Sequence, residues 1–132
     1  MAKTILIVED DPLMNRMYQK IFKFEKYDVL TASNGEEGLE KARQTKPTLI
    51  LLDIMMPKMN GLEVLGKLKS DPDMKGIPVI MLTNLAGEKD AETALMKGAV
   101  KYIIKSEHDP KQVVSIVKEI IAAHSRDDVP GS

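Results

Sequence analysis

The 132-residue sequence contains no cysteine and no tryptophan. The lack of cysteine excludes disulfide bonds, thiolate nucleophiles and zinc sites with sulfur ligands. A chain without disulfides suits a reducing compartment, so we expect a cytoplasmic protein. A chain of this length can bury roughly two-thirds of its extended surface, which is enough for a core without a covalent staple.

An excess of positive charge is also lacking. Lys and Arg number 19 against 20 Asp and Glu, the net charge is -1, and no basic cluster stands out along the chain. Because nucleic-acid surfaces need such a cluster, we expect no direct contact with nucleic acid. The apolar runs are far too short to span a bilayer, and the N-terminus reaches acidic residues before a signal-peptide core is complete. We therefore expect a soluble protein with no membrane attachment.

No repeat, low-complexity segment or linker interrupts the chain before its last residues. We predict one domain over residues 1–124 and a disordered tail over residues 125–132, where the sequence SRDDVPGS is polar and contains Pro and Gly. A chain with one domain and no attached effector would have to act through a partner protein.

Five short segments have the character of β-strands. Residues 5–8, 49–52 and 79–82 are unbroken apolar runs, which are typical of strands covered on both faces. Residues 27–32 and 100–105 mix polar with apolar residues, as edge strands do. The sequence therefore predicts three central strands and two edge strands.

Amphipathic helices are predicted between the strands. Apolar residues recur at helical spacing over residues 14–22 and 113–121. Ser33 with Glu36 resembles a capping box, and Asp109 precedes a proline that is allowed in a first helical turn. These signals place helix starts directly after the strands.

Five alternating strand and helix units imply a doubly wound parallel sheet, a flavodoxin-like (βα)5 fold with helices on both faces. Right-handed crossovers with the three apolar strands inside predict the strand order 2-1-3-4-5. In such a sheet a crevice opens at the carboxyl ends of strands 1 and 3. The helix predicted over residues 88–97 has few apolar contacts to offer, so we expect it to be weakly held.

Carboxylates are concentrated at that crevice. Glu9 and Asp10 follow strand 1, and Asp53 follows strand 3. Like charges about 4 Å apart repel by roughly 4 kcal/mol at an effective dielectric constant of about 20, so a bound cation should offset that cost. Mg²⁺ takes one or two carboxylates together with waters and phosphate oxygens, and Mn²⁺ is an alternative. The neighbouring Asp11 is better explained by the start of the next helix.

Two further polar residues end the remaining strands. Thr83 ends strand 4 and supplies a hydroxyl, while Lys105 ends strand 5 and supplies a mobile ammonium. A carboxylate nucleophile, a metal, a hydroxyl and a cation at one point are the components of phosphoryl transfer.

With these residues in place, the sequence resembles the response-regulator receiver domains of two-component signalling, similar to the chemotaxis receiver, over about residues 3–124. The matching segments are DIMMPKMNG, IMLTN and KYIIK, with the acidic pair after strand 1. The matching residues are Glu9, Asp10, Asp53, Pro57, Gly61, Thr83, Tyr102 and Lys105.

The resemblance implies a role for each matching side chain. Asp53 would be the phosphoacceptor for a sensor histidine kinase or a histidine phosphotransfer protein. Mg²⁺ would be bound by Asp10, by Asp53, by the main-chain carbonyl of Met55 and by Glu9 through a water molecule. Lys105 and Thr83 would hold the phosphoryl oxygens.

The resemblance also implies a switch formed by Thr83 and Tyr102, although Tyr102 alone would also suit edge-strand packing. The face made by helix 4, strand 5 and helix 5 would then control an unidentified downstream protein, with the chain a monomer or a phosphorylation-dependent dimer. Access to the site would be set by Met55, Asn84 and Leu85. Apolar side chains at two of these positions predict slow self-hydrolysis of the acyl phosphate.

Three residues depart from the family pattern. Ser106 replaces the proline that usually follows the lysine, which opens another path for the loop at Lys105. Glu9 stands where Asp is usual and lengthens the carboxylate arm. Asn84 is larger than the residue that commonly follows the threonine, and it narrows the expected mouth of the site.

Three other functions compete with a phosphorylation switch. A Mg²⁺-dependent phosphatase with an aspartyl nucleophile would need a second Asp at position 55, which is Met55. A flavin or nucleotide module would need a glycine-rich loop after strand 1, where the acidic EDDPLMN stands. A phosphorylation-independent scaffold is a third alternative, because Ser106 and Asn84 depart from the family pattern. We expect no enzyme activity beyond self-catalysed phosphotransfer and slow dephosphorylation.

Overall fold

In the computed structural model, which describes residues 3–127, strands and helices alternate along the chain. The strands are β1 (Thr4–Val8), β2 (Asp28–Ala32), β3 (Leu49–Leu52), β4 (Val79–Thr83) and β5 (Lys101–Ile104). The α-helices are α1 (Pro12–Phe24), α2 (Gly35–Thr45), α3 (Gly61–Ser70), α4 (Glu88–Met96) and α5 (Pro110–Asp127). A short 3₁₀ turn, Lys105–Glu107, joins β5 to α5.

The five strands form one parallel sheet in the order β2-β1-β3-β4-β5, which confirms the predicted fold and strand order. Val8 of β1 is level with Leu52 of β3. The main-chain N–H of Asp53 donates to the carbonyl of Val8 at 3.1 Å. This register brings Glu9 and Asp53 to the same edge of the sheet.

Alternate strand residues face opposite layers of helices, because side chains alternate along a strand. Ile7, Leu51 and Ile103 pack in the layer formed with α1 and α5. The second layer packs against α2, α3 and α4 and includes Met81 and Tyr102. Both layers are fully buried at the central strands, as the unbroken apolar runs predicted.

The helix caps largely follow the sequence signals. Asp11 accepts from the N–H of Leu13 at 2.9 Å, which agrees with its assignment to the start of α1. Asp109 accepts from the N–H of Gln112 at 2.9 Å, as predicted for α5. The capping box predicted at Ser33 and Glu36 is wrong by one residue, because the cap is Asn34.

The cap of α2 uses the same chemistry one position later. The Asn34 side chain accepts from the N–H of Glu37 at 2.9 Å. In turn the Glu37 carboxylate accepts from the N–H of Ser33 at 3.3 Å. Helix α4 differs, since Gly87 caps it without a side-chain hydrogen bond and Ala94 is its buried residue. That structure agrees with a weakly held helix.

Helix α5 continues to Asp127, so residues 125–127 are helical rather than part of the predicted tail. The rest of that tail, residues 128–132, lies outside the described residues. Within residues 3–127, no helix combines the length and apolar character needed to cross a bilayer.

The loop between β3 and α3 closes tightly beneath Asp53. The N–H of Gly61 donates to the carbonyl of Ile54 at 2.9 Å. A Cβ atom added at Gly61 would lie 2.1 Å from the Asp53 carbonyl oxygen and 2.7 Å from the Ile54 Cα. Only glycine lets these two backbone segments approach so closely.

Replacing Gly61 with alanine should therefore destabilise the protein by about 2 kcal/mol or more, because the added methyl group must displace backbone. Gly66 offers a matched control within the same helix, since a Cβ there meets nothing within 4 Å. Gly66→Ala should be stabilising by roughly 0.5–1 kcal/mol, as alanine favours a helix interior. Denaturant unfolding of both variants measures the difference, and equal stabilities would contradict this account of the loop.

Tyr18 of α1 is 2 % exposed and lies in the layer formed with α5. Burial, with a smaller contribution from the charge of Glu9, raises the pKa of Tyr18 from 10.0 to about 12. The folded protein therefore favours the neutral phenol. This contribution to stability is complete below the unfolded pKa and is lost as the pH rises toward the folded value.

Between about pH 9 and about pH 11, the wild-type protein should lose about 1 kcal/mol more stability than a Tyr18→Phe variant. The comparison isolates Tyr18, because both proteins keep the other tyrosines and the lysines. Urea unfolding at the two pH values measures the loss. Parallel declines in the two proteins would show that Tyr18 ionises equally easily when folded and unfolded.

Candidate functional site: an acidic cluster with a buried lysine

Three carboxylates meet at the carboxyl ends of β1 and β3. Oxygen atoms of Glu9, Asp10 and Asp53 all lie within 4.8 Å of one another. Glu9 and Asp53 are buried, whereas Asp10 is exposed at the mouth of the crevice. Such a set of oxygen ligands fits Mg²⁺ or Mn²⁺, so the donor chemistry matches the predicted metal site.

Lys105 lies against two of these carboxylates. Its Nζ pairs with Oε1 of Glu9 and lies 3.3 Å from Oδ2 of Asp53, and its side chain is 7 % exposed. The peptide bonds of the described residues are all trans, including the bond from Lys105 to Ser106. Lys105 therefore reaches the site although Ser106 replaces the expected proline.

The charges of the site do not balance. Three carboxylates face one ammonium, so full ionisation would leave two negative charges, which is the charge that one divalent cation neutralises. Burial raises the pKa of Glu9, and the charge of Asp53 raises it further, while the hydrogen bond from Lys105 opposes both effects. The site is therefore built to attract a cation.

Thr83 and Tyr102 lie on the other side of the sheet edge. Thr83 is fully buried, and its hydroxyl accepts from the N–H of Leu85 at 3.2 Å. The Tyr102 hydroxyl donates to the Leu85 carbonyl at 2.5 Å. Among the described residues, neither makes a hydrogen bond to Asp53. Leu85 thus joins the two predicted switch residues through its main chain.

The predicted access residues surround the mouth. Met55 is 57 % exposed, and its N–H donates to Oδ1 of Asp53 at 3.2 Å. Asn84 is exposed and Leu85 is half-buried against the core. The main chain at Met55 therefore fixes the orientation of the Asp53 carboxylate from the loop side.

Two residues of α1 support the site and were missed by the sequence reasoning. Asn15 is buried, and its amide donates to the carbonyls of Glu9 at 3.0 Å and Ala32 at 3.3 Å. Tyr18 borders the same region from below. The available signal for Asn15 was a polar residue one turn before Tyr18, on the buried face of α1, since a buried amide needs partners.

Comparison with known proteins agrees with this geometry. The family model described as "Response regulator receiver domain" matches residues 5–118. The polar-differentiation response regulator DivK of Brucella anthropi is 36% identical over 116 residues, which are 88% of this chain and 94% of DivK. The alkaline phosphatase synthesis transcriptional regulatory protein PhoP of Bacillus subtilis is 40% identical over 121 residues, covering 92% of this chain and 49% of PhoP. The chain thus spans about half the length of PhoP.

Solved structures share the fold. A CheY-like receiver domain protein from Methanospirillum hungatei superposes with a TM-score of 0.90 at 32% identity, covering 96% of this chain and 99% of that one. The Mn²⁺-bound form of the response regulator Rcp1 gives a TM-score of 0.77 at 31% identity, covering 89% and 91%. With the family model matched across nearly all of the sheet and its acidic edge, this chain belongs to the response regulator receiver domains of two-component signalling.

Proposed function

We propose that Asp53 accepts a phosphoryl group from the phosphohistidine of a sensor histidine kinase or a histidine phosphotransfer protein. The observation that supports this proposal is the contact set of the Asp53 carboxylate. One of its oxygens lies 3.3 Å from the Lys105 ammonium, the other accepts from the Met55 N–H, and two further carboxylates lie alongside. A buried carboxylate held in this way is oriented as a nucleophile.

The transfer needs little beyond positioning and charge neutralisation. An Asp53 oxygen forms a bond to phosphorus while the bond from phosphorus to the donor imidazole nitrogen breaks, and that nitrogen keeps the electron pair. Lys105 then pairs with one oxygen of the new phosphoryl group, and the Thr83 hydroxyl donates to another.

A divalent cation would be held by Asp10, by Asp53, by the carbonyl of Met55 and by Glu9 through water. Mg²⁺ is the expected ion and Mn²⁺ an alternative, since both accept an all-oxygen set. The ion supplies neutralisation of the charge on the phosphoryl oxygens.

Phosphorylation would act on the hydrogen bonds that link Thr83 to Tyr102 through the main chain of Leu85. If the Thr83 hydroxyl turns to the phosphoryl group, it leaves the Leu85 N–H that it now contacts at 3.2 Å. The Leu85 carbonyl, which holds the Tyr102 hydroxyl, belongs to the same residue and would move with it. The face made by α4, β5 and α5 would then change its fit to a downstream protein, with the chain a monomer or a phosphorylation-dependent dimer.

The alternatives are separated by simple observations. A phosphatase would turn over phosphate monoesters, but position 55 offers an exposed methionine rather than a carboxylic acid. A phosphorylation-independent scaffold would show no labelling at all. We propose a cytoplasmic signalling protein without enzyme activity toward other substrates.

Replacing Asp53 with asparagine should abolish Mg²⁺-dependent labelling by acetyl phosphate, because the amide cannot form the acyl phosphate. Intact-protein mass spectrometry before and after reaction measures the added phosphoryl group. Asp28→Asn is a suitable control, since Asp28 is an exposed residue at the start of β2, on the opposite edge of the sheet. Labelling of the Asp53 variant to the wild-type stoichiometry would remove Asp53 from this role.

The phosphoryl group should be long-lived, with a half-life of minutes or longer, because Met55 places an apolar side chain at the mouth of the site. Met55→Asn should shorten that half-life several-fold by giving water a polar partner near phosphorus. Met96→Asn provides the control, as Met96 is 88 % exposed on α4. Decay of labelled protein after removal of acetyl phosphate measures the rates, and a wild-type half-life of seconds would contradict the proposed shielding.

A further inference from the structure

Tyr18 forms the floor of the acidic cluster. Its side chain is 2 % exposed and lines a small cavity with Glu9 and Asp53, together with Leu51 and Leu82 of the sheet. The charge of Glu9 acts on the Tyr18 hydroxyl and helps to raise its pKa, which places the two groups within electrostatic reach. A phenol therefore lies directly below the residues that would receive the phosphoryl group.

The Tyr18 hydroxyl has no hydrogen-bond partner among the described residues. Among the described residues, every side-chain polar atom that is sealed from water has a hydrogen-bond partner. None of the hydrogen bonds or ion pairs of residues 3–127 involves the Tyr18 hydroxyl. The hydroxyl must therefore reach space that water can enter. The cavity measures about 10 Å³, which is close to the minimum for one water molecule.

Glu9 would lose its one direct cationic partner, Lys105, once the site is phosphorylated, since the proposed divalent cation contacts it only through water. Its Oε2 accepts from the Asp11 N–H at 3.1 Å, and its Oε1 pairs with Lys105. This step rests on the proposed function, in which Lys105 turns to a phosphoryl oxygen. Glu9 is only 4 % exposed, and a buried carboxylate that loses its cationic partner is costly.

We propose that Tyr18 is a positioning residue for the phosphorylated site. Its hydroxyl donates to Glu9, through one water molecule in the shared cavity, and holds that carboxylate when Lys105 leaves it for the phosphoryl group. Tyr18 thereby makes Lys105 available by compensating Glu9 for the loss of its direct ion pair.

Packing alone does not explain a tyrosine at this position. Phe22 lies one turn later on the same buried face of α1 and fills its part of the layer without a polar atom. A phenylalanine at position 18 would supply the same ring contacts and avoid burying a hydroxyl. The hydroxyl is therefore the feature that the acidic cluster uses.

The test compares Tyr18→Phe with Tyr27→Phe. Tyr27 is a matched control because it packs in the same layer as Tyr18, with its ring edge-on to Phe22 at 6.0 Å between centroids, but away from the acidic cluster. Calorimetric titration would measure the affinity for Mg²⁺ alone and for beryllofluoride in the presence of Mg²⁺, beryllofluoride being a mimic of the bound phosphoryl group. Thermal melting would confirm that both variants are folded.

Tyr18→Phe should weaken beryllofluoride binding by about tenfold, the usual cost of losing a group that orients a site residue, while Mg²⁺ affinity changes by less than about twofold. A merely structural role would weaken both. The loss should also disappear in a Glu9→Gln background, because the hydroxyl acts through the Glu9 carboxylate. Tyr27→Phe should bind both ligands as the wild type does.

Wild-type affinity of Tyr18→Phe for beryllofluoride would overturn the proposal, as would an equal loss in the Glu9→Gln background or a parallel loss of Mg²⁺ affinity. If the wild-type protein itself binds no beryllofluoride and takes up no phosphoryl group, the proposed function fails and this inference fails with it. The two failures are therefore distinguished by the wild-type measurement.

Discussion

The contact of Lys105 with the buried carboxylates of Glu9 and Asp53 is the interaction on which the site depends. Two carboxylates that are nearly sealed from water could not both stay ionised without a cation, because charge is expensive to bury. One ammonium satisfies part of that need and leaves a net negative site. The remaining deficit is one that a divalent ion would neutralise, and a bound phosphoryl group would compete for the same lysine. Glu9 and Lys105 are 96 positions apart in the chain, yet the charge of each is compensated by the other.

The edge of the sheet is the one place where such a contact can reach both layers of helices. Asp53 and Lys105 continue the alternation that points Leu51 and Ile103 toward α1 and α5. Thr83 follows Met81 and faces the opposite layer, where Tyr102 packs. Within the central strands the two layers are separated by backbone. Beyond the last paired residues that separation ends, so a group bound to Asp53 can be held from one side by Lys105 and contacted from the other by Thr83.

Most of the fold could be predicted because the strands are marked by local composition. Unbroken apolar runs define the central strands, and chain order with right-handed crossovers leaves few arrangements for the rest. The cluster around Asp53 followed from the strand ends alone. Details such as the exact cap of a helix depend on three-dimensional geometry that the local sequence does not show. For example, the N-cap of α2 is Asn34 and not Ser33. Both residues are polar and adjacent, and the backbone path into the helix determines which of them takes the N-cap position.

The supporting residues were harder to predict because their partners are distant or belong to the main chain. In the sequence, Tyr18 is indistinguishable from an aromatic residue of the core, because it lies in an apolar stripe. Only the structure shows that it shares a cavity with Glu9. Leu85 was expected to act through its side chain, whereas its N–H and carbonyl make the contacts to Thr83 and Tyr102. Whether Lys105 reaches the site without a following proline could not be predicted either. Its position is set by the ion pairs that its ammonium makes with Glu9 and Asp53, and not by Ser106.

The weak attachment of α4 matters for any signal that leaves the site. This helix buries Ala94, exposes Leu95 and Met96, and begins at Gly87 without a side-chain cap. A charge-assisted hydrogen bond contributes roughly 1.5–3 kcal/mol, whereas glycine in place of a capping side chain weakens a helix by about a few tenths of a kcal/mol. The free energy of one new contact at Thr83 would thus exceed what a side-chain cap would add at the start of α4. A better packed helix would not respond to a change of that size, so the poor packing of α4 is what would allow the proposed phosphorylation of Asp53 to alter this surface.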